Sequence, residues 1–425
     1  MSGPDLDVAL IRTRFPGLAR TAADGRPFAF LDGPGGSQTP GAVIQAVAAH
    51  LGSSMANLGG AFATARETDA TVDAARMAAA DFTGATPQEI AFGANMTTLN
   101  FQLVHAFART LSPGDEIVVT ALDHDANVSP WLLAAQDRDL QVRTAPLRPD
   151  DGTLDVDALE SLLGERTRAV AFTLASNALG TVTDARRIAA AAHRVGALAW
   201  ADGVHYAPHR RIDRDALGLD VLLCSPYKFF GPHLGLAVIR RDLAESLPAD
   251  RVRPAGEHPP GHRFETGTQS HEAMAGFVAA VDYVAGLAAS GDGAGSGRRA
   301  RLDLAYRSIE RYETGLAGRF LAGLDDLDGI TRYGIADPAR LGERTPTFCL
   351  TVDGIAPRAV SESLAAAGIF TWDGDYYAPN VMEGLGLAAG GGAVRIGFLH
   401  YNTADEVDRC LEALGAITAA ARATA

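Results

Sequence analysis

Leu222-Leu-Cys-Ser-Pro-Tyr-Lys-Phe-Phe-Gly-Pro-His233 runs from an apolar strand into a proline-broken turn, and the turn carries Lys228. Of the 37 basic residues in the chain, Lys228 alone is a lysine. Arginine has displaced lysine everywhere that only solubility is required. One property of lysine is beyond arginine: its amine can shed a proton and condense with a carbonyl to a Schiff base. A strand end is a fitting place for that group, because ligands of parallel sheets gather outside the carboxyl ends of the strands.

Working outward, short apolar runs alternate with helical patterns. The runs 28–32, 89–92, 116–120, 141–145, 169–174, 198–202, 221–225 and 235–239 predict strands. Ala-rich stretches at 70–82, 98–110, 155–163 and 184–195 predict helices between them. Near-continuous apolar strands in such alternation predict an α/β architecture, with a mostly parallel sheet covered on both faces. The stretch Ser290–Gly297 predicts a flexible linker. Beyond it, a helix at 301–324, strands at 347–352, 369–372 and 393–398, and helices at 360–367 and 404–421 predict a smaller α+β domain. The expected division is an N-terminal segment 1–25 packing on the small domain, a large domain 26–288 and a small domain 289–425.

Other strand ends carry chemistry too. Asp202 closes the strand before the lysine's, where a carboxylate could pair with a protonated pyridine nitrogen, and His205 follows three residues on. Asn95-Met-Thr97 opens a helix after a strand, which suits either an anion site or an ordinary N-cap. His124, within Asp123-His-Asp125, could stack on a flat ring, and Asn177 brings an amide to a further strand end. Ser225 and Tyr227 bring hydroxyls to the turn of Lys228 and could bind a phosphate. These groups point together to an aldehyde cofactor on Lys228.

Composition excludes much else. The 425 residues are 47% apolar and 21% charged, enough for a sizeable core. A net charge of −14 argues against nucleic-acid binding. No segment reads as a membrane span or signal peptide, so a cytoplasmic protein is expected. Cys224, Cys349 and Cys410 lie far apart and read as buried structural thiols. His205-Tyr-Ala-Pro-His209 is a poor metal motif, since the proline breaks the helix that would align its imidazoles. No metal is expected.

From Phe30-Leu-Asp-Gly-Pro-Gly-Gly36 through Asp202-Gly and Ser225-Pro-Tyr-Lys228 to Arg395-Ile-Gly-Phe-Leu-His-Tyr-Asn-Thr403, the chain resembles the class V aminotransferases. These are pyridoxal-phosphate enzymes of fold type I, and the resemblance is to the cysteine desulfurases among them. It implies a large-domain sheet of the seven-stranded type and a homodimer with active sites at the interface. It also implies the residue roles. Lys228 forms the internal aldimine and shuttles the Cα proton, Asp202 pairs with the pyridine nitrogen, and His205 lies near the ring oxygen. His124 stacks over the ring and Asn177 contacts its side. Asn95, Met96, Thr97, Ser225 and Tyr227 surround the phosphate, Thr268 reaches the partner subunit's phosphate, and Arg395 clamps the substrate carboxylate. The sequence departs from the resemblance in one loop. Tyr377 stands where desulfurases place the sulfur-accepting cysteine, and Trp372 replaces an arginine just before it. A phenol does not accept sulfur as a thiolate does. The expectation is therefore a lyase acting on a small amino acid by β-elimination with C–S cleavage. The alternatives are an epimerase or aminotransferase, a desulfurase with a non-standard sulfur acceptor, and a non-catalytic pyridoxal-phosphate-binding protein.

Overall fold

The computed structural model describes residues 5–288 and 297–424. The predicted linker, apart from Gly297, lies outside the described residues. The strands in chain order are β1 (Ala29–Phe30), β2 (Ile90–Gly93), β3 (Glu116–Thr120), β4 (Gln141–Ala145), β5 (Leu147–Arg148), β6 (Thr153–Leu154), β7 (Thr167–Thr173), β8 (Leu198–Asp202), β9 (Val221–Cys224) and β10 (Gly235–Ile239). They continue with β11 (Ile330–Tyr333), β12 (Thr347–Val352), β13 (Ile369–Phe370), β14 (Trp372–Gly374) and β15 (Ala393–Gly397).

Seven strands form the large sheet, in the order β2-β10-β9-β8-β7-β3-β4. Neighbours from β9 to β4 pair in parallel, and β10 alone runs against both of its neighbours. The alternation of side chains shows why this sheet is buried twice. Ile117, Val119, Ala171, Trp200 and Leu223 enter one hydrophobic cluster, while Val118, Phe172, Ala201 and Leu222 enter another. Each fully buried Val, Leu, Ile or Phe among them contributes about 1.5–3 kcal/mol. Register has a polar check as well. The Trp200 indole N–H donates to Asn100 Oδ1 at 2.8 Å, and a slipped strand would strand that donor.

A four-stranded antiparallel sheet, β11-β12-β15-β14, forms a second layer with its own core of Phe320, Phe348, Leu350, Ile396 and Phe398. Two sequence expectations change here. The run 28–32 does not join the large sheet; β1 pairs with β13 instead. The run 369–372 is not one strand but two, because β13 faces β1 while β14 pairs with β15. The predicted helix 70–82 begins earlier and spans Ala63–Thr83. No described helix is long and apolar enough to cross a membrane.

Candidate active site

The parallel strands end together, and their carboxyl ends line one deep pocket. Lys228 sits in the turn Pro226–Lys228 directly after β9, with 7% of its surface exposed. Its Nζ donates to the Pro34 carbonyl at 2.5 Å. Burial pulls the amine down to about 7, and the nearby Arg395 charge adds to this while Asp202 opposes it. A neutral, nucleophilic amine is thus accessible near neutral pH.

Asp202 is the last residue of β8, and its Oδ1 accepts the Val204 N–H at 2.8 Å. Burial raises the carboxyl to about 6, held back by that hydrogen bond and by Lys228. His205 Nε2 lies 3.2 Å from Thr345 Oγ1 and 3.0 Å from Thr347 Oγ1. Burial keeps this imidazole neutral, and its buried Nδ1 has no hydrogen-bond partner among the described residues. Asn177 donates through Nδ2 to the Tyr376 carbonyl at 2.9 Å and leaves Oδ1 similarly unpartnered. Met96, Thr97, His124, Ser225 and Tyr227 complete the pocket wall.

Two predicted site residues stand apart. Asn95 does not line the pocket. Its Oδ1 accepts the Thr98 N–H at 2.8 Å, so it acts as the N-cap of the helix Met96–Ala108. Thr268 lies exposed in a turn beyond Gly267, away from the pocket of its own chain.

The pocket opens into a larger cavity of about 810 Å³, bounded on the far side by the small sheet and its loop. Arg395 on β15 donates to the Asn177 carbonyl at 2.9 Å and lies 4.5 Å from the centroid of the Tyr376 ring. Burial lowers its guanidinium only to about 10, so it stays charged at neutral pH. Trp372 is the cross-strand neighbour of Arg395. Tyr377 stacks on His124, with ring centroids 5.6 Å apart and planes 24° from parallel. His124 Nδ1 accepts the Ala126 N–H at 3.0 Å, and burial brings its ring down to about 3.

Several participants escaped sequence reasoning. Pro34 supplies the carbonyl for Lys228, Thr345 and Thr347 orient His205, and Tyr376 backs Arg395. The resemblance had touched the first through Gly33-Pro-Gly-Gly36; the others reach the site from the small-sheet side, far along the chain. Tyr376 and Tyr377 both adopt the left-handed region, at φ 57° and 56°. Each costs about 1–2 kcal/mol for a side chain of this kind. Their carbonyls are held by Asn177 and by the Asp125 N–H, at 2.9 and 2.7 Å. No cysteine lines either cavity among the described residues. All three are buried, with Cys349 and Cys410 thiols pushed up to about 12 and Cys224 further still.

Residues 29–410 match the class V aminotransferase family model, and the chain belongs to that family. It is 32% identical to the uncharacterized protein MT3887 of Mycobacterium tuberculosis, over 97% of this chain and 99% of that one. It is 30% identical to a cysteine desulfurase of Pectobacterium carotovorum, over 95% and 96% of the two chains. The fold is that of fold type I. The cysteine desulfurase of Thermococcus onnurineus superposes with a TM-score of 0.86 at 24% identity, covering 99% of this chain and 100% of that one.

Enzymes of this family use pyridoxal 5'-phosphate. The donor set fits it. The pocket offers one buried amine, one carboxylate, two unpartnered polar atoms on His205 and Asn177, and a helix N-terminus at Met96.

Proposed function

We propose that this protein is a pyridoxal-phosphate-dependent lyase that releases a thiol from the β-carbon of an α-amino acid. The observation that supports it is the pairing of a complete proton-transfer and carboxylate-binding set with a cavity that no thiol lines among the described residues. A sulfur atom leaving the substrate has no thiolate there to receive it.

Lys228 would hold the cofactor, with Asp202 at its ring nitrogen, His205 Nδ1 at its ring oxygen, and the Met96 helix end, Ser225 and Tyr227 at its phosphate. Bound pyridoxal phosphate supplies an electron sink for the pair left when the Cα–H bond breaks. Arg395 receives the substrate carboxylate as a planar fork and fixes the Cα–H direction. Lys228 Nζ takes the Cα proton, which suits an amine titrating near 7. The sulfur leaves with the Cβ–S electron pair and a proton. With water, the remainder ends as pyruvate and ammonium, so the balance needs no oxidant or reductant. In the homodimer that the resemblance implies, the exposed turn at Thr268 would face the partner's cavity.

The test is product analysis of the loaded enzyme with L-cysteine and with S-substituted cysteines. Pyruvate and free thiol in equal amounts are expected. Alanine with sulfur retained on the protein would sink the lyase reading in favour of a desulfurase. Inversion at Cα without pyruvate would point to an epimerase.

A further inference from the structure

The proposed reaction uses the floor of the cavity and leaves its outer half without a task. At about 810 Å³ the cavity lies near the top of the ~300–1,000 Å³ range of pockets that enclose drug-sized ligands. Its mouth is framed by Phe101 and Leu133 on one side and by Trp372 and Tyr377 on the other. All four are exposed in the single chain, from 40% for Phe101 to 73% for Tyr377. Exposed large apolar side chains are ordinary when scattered, but four around one mouth form a patch.

The placement is specific. Trp372 lies directly across from Arg395 in the β14–β15 ladder, so the two side chains share a face. The indole therefore begins where the carboxylate clamp ends. Gly35 makes room for it, since a Cβ there would fall 2.3 Å from the indole nitrogen.

Of the carboxylates in the lining, one is paired with a cation and two accept hydrogen bonds from neutral donors. Asp373 pairs with Arg358 at 3.1 Å, Asp125 accepts the Ser129 hydroxyl at 2.5 Å, and Asp375 accepts the Tyr377 N–H at 3.0 Å. The lining cations among the described residues are Lys228 and Arg395, both on the floor. An acidic substrate side chain would find carboxylates and no cation at the mouth.

We infer that the substrate's side chain carries a large uncharged group, seated on the rim of Phe101, Leu133, Trp372 and Tyr377. This inference rests on the lyase reading and narrows its substrate from a small amino acid to a bulky S-substituted one.

The experiment titrates the pyridoxal-phosphate-loaded enzyme with L-alanine, L-cysteine, S-benzyl-L-cysteine, L-aspartate and L-lysine. Half-saturation is read from the initial change in visible absorption. S-benzyl-L-cysteine is expected to half-saturate at about tenfold lower concentration than L-alanine or L-cysteine, with L-aspartate weaker than either and L-lysine weaker than S-benzyl-L-cysteine. In Leu133→Asp and in Trp372→Ala the benzyl-to-alanine ratio is expected to shrink to about threefold or less. Equal half-saturation by bulky and small ligands, or preference for a charged side chain, overturns the inference while the amino-acid site stands. No response to any amino acid, with the cofactor still bound, overturns the lyase reading and this inference together.

Discussion

The cavity wall supplied by the large sheet and the wall supplied by Trp372–Ala378 differ in burial, in backbone conformation and in what holds them. Asp202, His205, Ser225 and Lys228 are buried at the ends of parallel strands, in backbone that the sheet dictates. Trp372 and Tyr377 are exposed, and Tyr376 and Tyr377 sit in left-handed backbone. Their loop is latched from outside itself, by the Asn177 side chain and the Asp125 N–H. One wall is set by the fold and presents ionisable groups. The other is set by the β14–β15 ladder, the Tyr376 hydroxyl on the Ala393 carbonyl and two longer-range hydrogen bonds to its loop, and presents aromatic surface. On the proposed reading chemistry and selectivity have separate structural supports, and mutation is expected to separate them.

The largest effect is expected at the inner wall. Lys228→Ala will lose borohydride fixation of the cofactor completely and lower turnover by about 10²–10⁴-fold, the usual worth of a positioned proton-transfer group. Retained fixation would break the assignment. Next comes Arg395→Ala, at the seam between the walls. Removing one partner of a buried charge contact costs about 2–5 kcal/mol, so substrate half-saturation will rise by more than tenfold. An unchanged value would remove Arg395 from the site.

The inner wall also predicts a pH dependence. Capture of pyridoxal phosphate by the apoprotein needs the free amine of Lys228, which titrates at about 7. Stopped-flow capture rates will therefore rise from acid through pH 7 and level off above it. A flat profile would mean that burial does not set the amine. The linkage has the same sign. An unfolded lysine titrates near ~10.4, so between about 7 and 10 the unfolded chain binds more protons, and this group makes the apoprotein more stable as pH rises. The smallest effect belongs to the outer wall. Tyr377→Phe keeps the ring and removes only the hydroxyl, and turnover is expected to stay within about threefold, below the usual worth of a general acid. A tenfold fall would give the phenol a proton-transfer role and blur the distinction between the walls.

The inner wall was readable from the sequence because each of its groups follows an apolar run, and strand ends converge wherever parallel strands do. That pattern placed Asp202, His205 and Lys228 in the pocket, and the resemblance supplied the roles expected of them. Asn95 was legible only in part, since an amide that opens a helix suits an anion site and a cap alike, and its side chain forms the cap. The outer wall was hidden for a physical reason. The local turn at Asp375, which accepts the Tyr377 and Ala378 N–H groups, is joined by contacts from Asn177 and Asp125 across about half the chain, and no local pattern announces those. The pairing of β1 with β13 was hidden in the same way, because its two halves lie at opposite ends of the sequence.

The burial of the one lysine sets how the protein counts its cofactor. Pyridoxal phosphate is an aldehyde, and on most proteins surface ε-amines capture it indiscriminately. This chain displays none, because its one ε-amine lies in the pocket at 7% exposure. Apart from the terminal α-amine, excess cofactor has a single amine to find. Loading therefore saturates at one side-chain equivalent per chain, and the absorbance of a loaded sample reads as a census of intact sites.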